Sequence, residues 1–143
     1  LFLGGADCSL DYSELRSRGI THIINCTRGV CADARLADFT FLRVAVEDCP
    51  TVNISEAFEP ACALIGTARD AGGATLVHCR KGISRSATIV LAWLVKHEGM
   101  TALDALRYLQ SCRPLISPNA GFMAQLLELE QALRGQTTID MDK

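Results

Sequence analysis

One cysteine and one arginine stand six positions apart in a segment where a strand pattern changes to a helix pattern. The apolar run of residues 74–77 predicts a short buried strand. A turn containing Gly82 follows, and residues 86–97 predict a helix. Cys79 lies at the start of this turn and Arg85 at its end. A thiol and a guanidinium in one strand-to-helix loop indicate phosphate chemistry.

The physical properties of such a loop favour a bound dianion. Successive backbone N–H groups turn inward and form an anion-binding concavity, and the N-terminus of the following helix adds about half a positive charge. The same field lowers the pKa of a cysteine from about 8.5 to roughly 3.5–7.5. We therefore expect Cys79 to be a thiolate nucleophile and Arg85 to grip two phosphate oxygens. The expected phosphate-binding residues are Arg80, Lys81, Gly82, Ile83, Ser84 and Arg85.

Each of these residues also has a simpler structural interpretation. A lone cysteine at a strand end is more often a small core residue. Arg85 alone is typical of a surface salt bridge, and Ser86 alone of a helix N-cap. We favour the catalytic interpretation because His78, Gly82, Arg85 and Ser86 coincide around Cys79. Ser86 serves on this interpretation as thiolate partner and also as N-cap.

The segment His78-Cys79-x5-Arg85-Ser86 resembles the signature of the cysteine-dependent protein tyrosine phosphatase superfamily. Its version Gly82-Ile83-Ser84-Arg85-Ser86 is most similar to the dual-specificity phosphatases. The resemblance covers nearly the whole chain, including a late Pro118-Asn119-x-Gly121-Phe122 stretch.

The resemblance implies further roles. The general acid of the family lies on a loop upstream of the nucleophile, where this chain has Asp48, 31 residues before Cys79. Without the resemblance, Asp48 is equally typical of a solvated turn. Ser86 is expected to donate a hydrogen bond to the sulfur, and His78 to orient the loop. Asn119 matches a position that braces the active-site loops, although a helix N-terminal residue explains it as well.

The order of patterns predicts an α/β fold with a central, mostly parallel twisted sheet and helices on both faces. We expect one catalytic domain over residues 1–135 and a loose polar tail over residues 136–143. We expect residues 1–4, which resemble the trimmed start of an edge strand, to follow further natural sequence. Pro60 predicts a kink, or a later start, in a helix over residues 54–71. Ser117 is the predicted N-cap of the last helix, with Pro118 following it.

Composition limits the possible partners. The 143 residues are 49% hydrophobic and carry a net charge of −2, which argues against general binding of nucleic acid or membranes. Seven cysteines without a C-x-x-C pair indicate neither a disulfide framework nor a zinc site. We therefore expect no metal and no cofactor, a cytoplasmic or nuclear location, and a phosphoprotein as substrate.

Several functional alternatives remain open. One alternative is that this chain is a phosphatase acting on a non-protein phosphate, such as a phosphoinositide, a glycan or an RNA 5′-phosphate. A non-catalytic module captures phosphoresidues without turnover, but it has no need for Cys79, Arg85, Ser86 and Asp48 together. Many dual-specificity phosphatases have a small residue where this chain has Lys81. The extra cation favours acidic or multiply phosphorylated substrates, and the simpler interpretation is a solvent-facing lysine. Cys26 is expected at a neighbouring strand end, and a reversible disulfide between Cys26 and Cys79 is our hypothesis.

Overall fold

A parallel four-stranded sheet lies at the centre of the structure, which is a computed structural model describing residues 1–5, 12–27 and 39–141. The last three helices follow one another without intervening strands. The elements in chain order are β1 (Phe2–Gly4), α1 (Tyr12–Ser17), β2 (Ile20–Asn25), β3 (Thr40–Arg43), α2 (Phe58–Asp70), β4 (Ala74–His78), α3 (Arg85–Lys96), α4 (Ala102–Cys112) and α5 (Ala120–Arg134).

The strand order is β1-β4-β2-β3, and every pairing is parallel. Val77 of β4 lies opposite Leu3 on one side and Ile24 on the other. The carboxyl ends of parallel strands meet at one edge, so Cys79 and Cys26 follow neighbouring strand ends. The predicted parallel sheet and the edge position of β1 are confirmed among the described residues.

Alternate residues of the strands serve two separate cores, because side chains of a strand point to opposite faces in turn. On one face, Leu76 packs with Ile23 and with Leu15 of α1. On the other face, Val77 and Ile24 join the larger core that α2, α3, α4 and α5 cover. Helices therefore lie on both faces, as predicted.

Helix α3 runs through the larger core. Its residues from Ser86 to Val95 are all buried, so the helix has no solvent face along most of its length. Trp93 is 4% exposed and stacks on His97 with ring centroids 4.6 Å apart, so it is a core residue. Because α3 is buried, it holds the end of the preceding loop, which follows β4, in a fixed position.

The structure decides between the two predictions for Pro60 and corrects the start of the last helix. Pro60 causes no kink, and the alternative of a later start is confirmed, because α2 begins at Phe58 after a 3₁₀ turn over Ser55–Ala57. Pro60 then lies in the first turn, where its missing N–H has no intrahelical partner to lose. The last helix begins at Ala120 with Asn119 as N-cap, whose side chain accepts a hydrogen bond from the Phe122 N–H, so Ser117 lies outside it.

Other predicted segments extend beyond the described residues. The sequence also predicts a helix start at Asp11 and a polar connection over residues 27–38. Asp11, most of that connection and the last two tail residues lie outside the described residues. Within the described part of the chain, no helix is long and apolar enough to cross a bilayer.

Candidate active site

The loop between β4 and α3, residues 79–85, is called here the phosphate loop. Cys79 is only 2% exposed at its base. Its Sγ lies 3.0 Å from the Ser86 Oγ and 3.2 Å from the Gly82 backbone N. Burial alone raises the pKa of the Cys79 thiol, but hydrogen bonds from the Ser86 hydroxyl and from the amides of Ser86, Gly82 and Ile83 outweigh it and hold the pKa below its usual value. The surroundings of the thiol therefore favour a thiolate.

Glycine is required at position 82 by both conformation and space. Its φ of +69° lies in the left-handed region, and a Cβ there would come within 2.8 Å of the Gly4 carbonyl carbon. The tight packing of β1 against the outside of the loop thus depends on a missing side chain. The positive φ and the close approach of Gly4 therefore explain why the signature has glycine at position 82.

Arg85 is the first residue of α3, and Ser84 rather than Ser86 occupies the N-cap position. The predicted capping role of Ser86 is therefore wrong, because its backbone is already helical and its hydroxyl points to Cys79. Arg85 donates from Nη1 to the Val46 carbonyl at 3.1 Å, which fixes its guanidinium beside the pocket. The Ser84 carbonyl accepts from the N–H and hydroxyl of Thr88 at 2.9 and 2.8 Å.

A cavity of about 260 Å³ brings the predicted site residues together. Asp48, which precedes Cys79 by 31 positions, shares this cavity with the nucleophile and the arginine. Arg80 and Lys81 lie exposed at its rim. Its lining residues are Asp48, Cys79, Arg80, Lys81, Ile83, Ser84 and Arg85.

Asn119 joins three parts of the site. Its Nδ2 donates to Asp48 Oδ1 at 2.8 Å, and its backbone N–H donates to the Ser84 Oγ at 3.0 Å. Its Oδ1 accepts from the Phe122 N–H at 2.9 Å and so caps α5. Both interpretations of Asn119 made from the sequence therefore hold at once: it caps a helix and contacts two active-site loops.

Helix α5 also supports the rest of the segment that carries Asp48, residues 46–53, called here the acid loop. Gln125 accepts from the N–H groups of Ile54 and Ser55 at 2.8 and 2.9 Å and donates to the Val52 carbonyl at 2.8 Å. Sequence reasoning missed Gln125. The available signal was a lone amide inside the apolar run of residues 122–127.

His78 lies in the core rather than in the pocket. It is fully buried, and within the described residues neither ring nitrogen has a hydrogen-bond partner. Burial, assisted by the charge of Arg43, lowers the pKa of His78 to about 4. Its ring is thus neutral at physiological pH, and the expected role of His78 in orienting the loop stays a prediction.

Cys26 follows β2 and is fully buried. Its N–H donates to the His78 carbonyl at 2.8 Å, which places it beside the strand end that carries Cys79. Burial, with the neighbouring Cys79 adding to it, raises the pKa of Cys26 above its usual value. Cys26 is therefore a protonated thiol close to the nucleophile, and its disulfide with Cys79 stays a prediction.

The cavity combines the Cys79 thiol beneath backbone amides, the Arg85 guanidinium and the Asp48 carboxyl group. This combination is typical of the cysteine-dependent phosphatases. Residues 1–132 match the family model of the dual specificity phosphatase catalytic domain. The chain therefore belongs to the dual specificity phosphatase family, as its signature predicted.

Individual relatives agree with this family. Mouse dual specificity protein phosphatase 14 is 36% identical over 141 residues, which are 99% of this chain and 71% of the relative. A rhodanese domain-containing dual specificity protein phosphatase of Dictyostelium discoideum is 39% identical over 133 residues, and this chain spans only 28% of its length.

Solved structures confirm the fold. The crystal structure of human DUSP28 superposes with a TM-score of 0.88 at 36% identity, covering 92% of this chain and 88% of that one. A human tyrosine phosphatase-like serine/threonine/tyrosine-interacting protein gives a TM-score of 0.85 at 34% identity, covering 92% and 91%.

Proposed function

We propose that this domain hydrolyses phosphotyrosine and phosphoserine or phosphothreonine in proteins through a phosphocysteine intermediate. The observation that carries the proposal is the Cys79 Sγ, which has hydrogen-bond partners at 3.0 and 3.2 Å beside a cavity that Asp48 and Arg85 also line. Family membership supports an enzyme that acts on phosphoproteins.

In the first step, the phosphoryl group enters the phosphate loop and the Cys79 thiolate attacks phosphorus. The loop amides and the Arg85 guanidinium stabilise the charge on the equatorial oxygens of the trigonal-bipyramidal transition state. As the bond from phosphorus to the substrate oxygen breaks, Asp48 gives its proton to the leaving oxygen. Asn119 donates to Oδ1 of Asp48, which leaves Oδ2 to carry this proton.

In the second step, the carboxylate of Asp48 takes a proton from water, and the water oxygen attacks the phosphocysteine. The phosphorus–sulfur bond breaks, and inorganic phosphate leaves. The Ser86 hydroxyl, 3.0 Å from Sγ, donates to the sulfur as negative charge returns to it. The cycle thus regenerates the thiolate and the protonated carboxyl group.

Location and surface charge complete the proposal. The described cysteines are free thiols, which supports a reducing compartment such as the cytoplasm or the nucleus. The exposed cations Arg80 and Lys81 at the rim support a substrate with acidic residues or a second phosphate near the target. A solvent-facing role for Lys81 is the simpler alternative.

The second candidate function is capture of phosphoresidues without turnover. The observation that favours it is the close superposition with the human protein named phosphatase-like and interacting. Both functions use the same phosphate loop, and they differ in whether Cys79 and Asp48 react.

The test is hydrolysis of p-nitrophenyl phosphate and of tyrosine- and threonine-phosphorylated peptides under reducing conditions. We expect turnover by the wild type, loss of at least about a thousandfold in Cys79→Ser, and ordinary activity in the control Cys112→Ser, whose cysteine is exposed on α4. Peptide binding without turnover by the wild type would instead establish the capture module. Phosphoinositides are assayed in parallel. Turnover of phosphoinositides but not of phosphopeptides would show that the substrate is a non-protein phosphate.

A further inference from the structure

The connection between α4 and α5 lies along the outside of the phosphate loop and bonds three successive carbonyls of that loop. Arg113 donates from Nη2 to the Lys81 carbonyl and from Nε to the Gly82 carbonyl, both at 3.0 Å. The Ser117 N–H donates to the Ile83 carbonyl at 2.8 Å. Carbonyls of the loop therefore point outward, away from the cavity.

The direction of these carbonyls decides the direction of the amides. In a planar trans peptide, the C=O of one residue and the N–H of the next point in opposite directions. Outward carbonyls at positions 81, 82 and 83 therefore turn the N–H groups of Gly82, Ile83 and Ser84 away from the connection. The Gly82 N–H accordingly reaches the Cys79 Sγ at 3.2 Å.

The two bonds of Arg113 require its guanidinium. Two carbonyls of adjacent residues match donors in a rigid planar fork, whereas a lysine ammonium is a single point charge on a flexible stem. Space for the fork comes from Gly82, where a Cβ would lie 2.8 Å from Arg113 Nη2. The arginine is itself held in place, since its N–H bonds the Leu109 carbonyl at 2.9 Å and its carbonyl accepts from Ile116 at 3.2 Å.

We propose that Arg113 is a positioning residue of the active site, which holds the phosphate loop with its amides directed at the bound dianion. Among the described residues, its guanidinium bonds the outer side of the loop, so it acts through the peptide units of residues 81–83 and not by contact with the phosphoryl group. The inference deepens the proposed function and rests on it for the identity of the anion.

The same amides donate to Cys79, so Arg113 also affects the ionisation of the thiol. Burial raises the pKa of Cys79, and the amides of Gly82 and Ile83 are among the donors that lower it. Other titratable or charged groups lie near this thiol and remain unchanged in an Arg113 variant. They are Arg80, Lys81 and Arg85 of the phosphate loop, Asp48 of the acid loop, His78 of β4 and Cys26 after β2.

The test measures alkylation of Cys79 by iodoacetamide, followed on its peptide by mass spectrometry against pH and against inorganic phosphate as protecting anion. The variants are Arg113→Met and Arg113→Lys, and the control is Arg107→Met on an exposed position of α4. For Arg113→Met we expect about tenfold weaker protection by phosphate and an alkylation midpoint at higher pH. Arg113→Lys restores at most one of the two bonds, so we expect an intermediate loss of about threefold.

Protection of Arg113→Met by phosphate within twofold of wild type, together with an unchanged pH midpoint of alkylation and unfolding like that of the control, would overturn the inference. If Arg113→Met does not fold, Arg113→Lys decides, and values equal to wild type would then contradict it. Neither readout needs turnover. A wild type without turnover but with the expected Arg113 effect would reject the phosphatase and keep the inference, whereas turnover with unchanged phosphate protection would do the reverse.

Discussion

Among the described hydrogen-bond contacts of the Cys79 sulfur, the contact with Ser86 is the shortest. The hydroxyl lies 3.0 Å from Sγ inside a core where burial alone disfavours the thiolate. The donors around Cys79 reverse that tendency, and Ser86 is the largest of the lowering influences. In the proposed mechanism, Ser86 therefore affects both the formation of the thiolate and its departure from phosphorus.

For Ser86→Ala we expect kcat to fall roughly 10- to 100-fold, because a hydrogen bond to a charged group is worth about 1.5–3 kcal/mol. KM should fall in parallel, because breakdown of the phosphocysteine then limits turnover. The thiolate loses a donor, so the pKa of Cys79 rises and the acidic limb of kcat/KM moves to higher pH. Pre-steady-state kinetics should show a burst of p-nitrophenol as phosphocysteine accumulates. Ser111→Ala, at an exposed position of α4 outside the cavity, is the control. An unchanged acidic limb in Ser86→Ala would contradict the assigned role.

The residues that surround Cys79 in the candidate site could be predicted because their signal is local. Cys79, Arg85 and Ser86 fall within eight consecutive positions, and their chemistry follows from residue type and spacing. Arg113 and Gln125 could not be predicted in the same way. Their partners lie 31 to 73 positions away, so only the fold brings them together.

At the scale of elements, the first turns of α5 determine where the acid loop lies. Asn119 and Gln125 bond this loop and the turn after it, and Gly121 permits the closest approach. A Cβ at Gly121 would lie 1.9 Å from the Pro50 carbonyl oxygen. The helix and the acid loop can keep this geometry only while position 121 has no side chain.

We expect Gly121→Ala to displace Pro50 and, with it, Asp48. A misplaced general acid matters most for poor leaving groups, so activity on phenyl phosphate should fall at least about tenfold more than activity on a dinitrophenyl phosphate. The control is Gly66→Ala in α2, where a Cβ would meet Trp93 at an ordinary 3.8 Å. Gly66→Ala should stabilise its helix by up to about 1 kcal/mol. Equal losses for both leaving groups in Gly121→Ala would indicate a general structural effect instead.

The type and order of the elements were largely predictable, whereas their boundaries were less so. Runs of apolar residues predicted the strand over residues 74–77 and the helix that follows it. The start of α5 was misassigned to Ser117 because Ser-Pro-Asn offers two capping side chains in succession. Ser117 instead bonds the Ile83 carbonyl, a tertiary contact with no local signature.

At the scale of the whole molecule, one buried carboxylate connects three segments. Glu130 of α5 is fully buried and accepts from the Ala102 N–H at 2.7 Å, at the start of α4. It also accepts from the N–H and hydroxyl of Thr138 at 2.7 and 2.8 Å. The Thr138 hydroxyl oxygen accepts from Leu103 at 3.0 Å. The tail is therefore attached at Thr138 rather than loose there, and the domain boundary at residue 135 stays a prediction.

We expect Thr138→Val to lower the free energy of unfolding by about 1–3 kcal/mol, because it leaves a lone pair of the buried carboxylate and the Leu103 N–H without partners. Urea denaturation measures this loss, with the exposed neighbour variant Thr137→Val as control. Activity at low denaturant should not change, since these residues lie outside the cavity. Equal midpoints for the two variants would show that the contact contributes nothing.

The attachment of the acid loop to α5 also has a consequence for selectivity. A loop held by a backbone contact and several hydrogen bonds has little freedom to rearrange around an incoming side chain. The mouth of the cavity then has fixed dimensions, so the length of a phosphorylated side chain determines whether its phosphoryl group reaches the phosphate loop. Discrimination between long aromatic and short aliphatic phosphoesters is in that case set when the chain folds, before any substrate arrives.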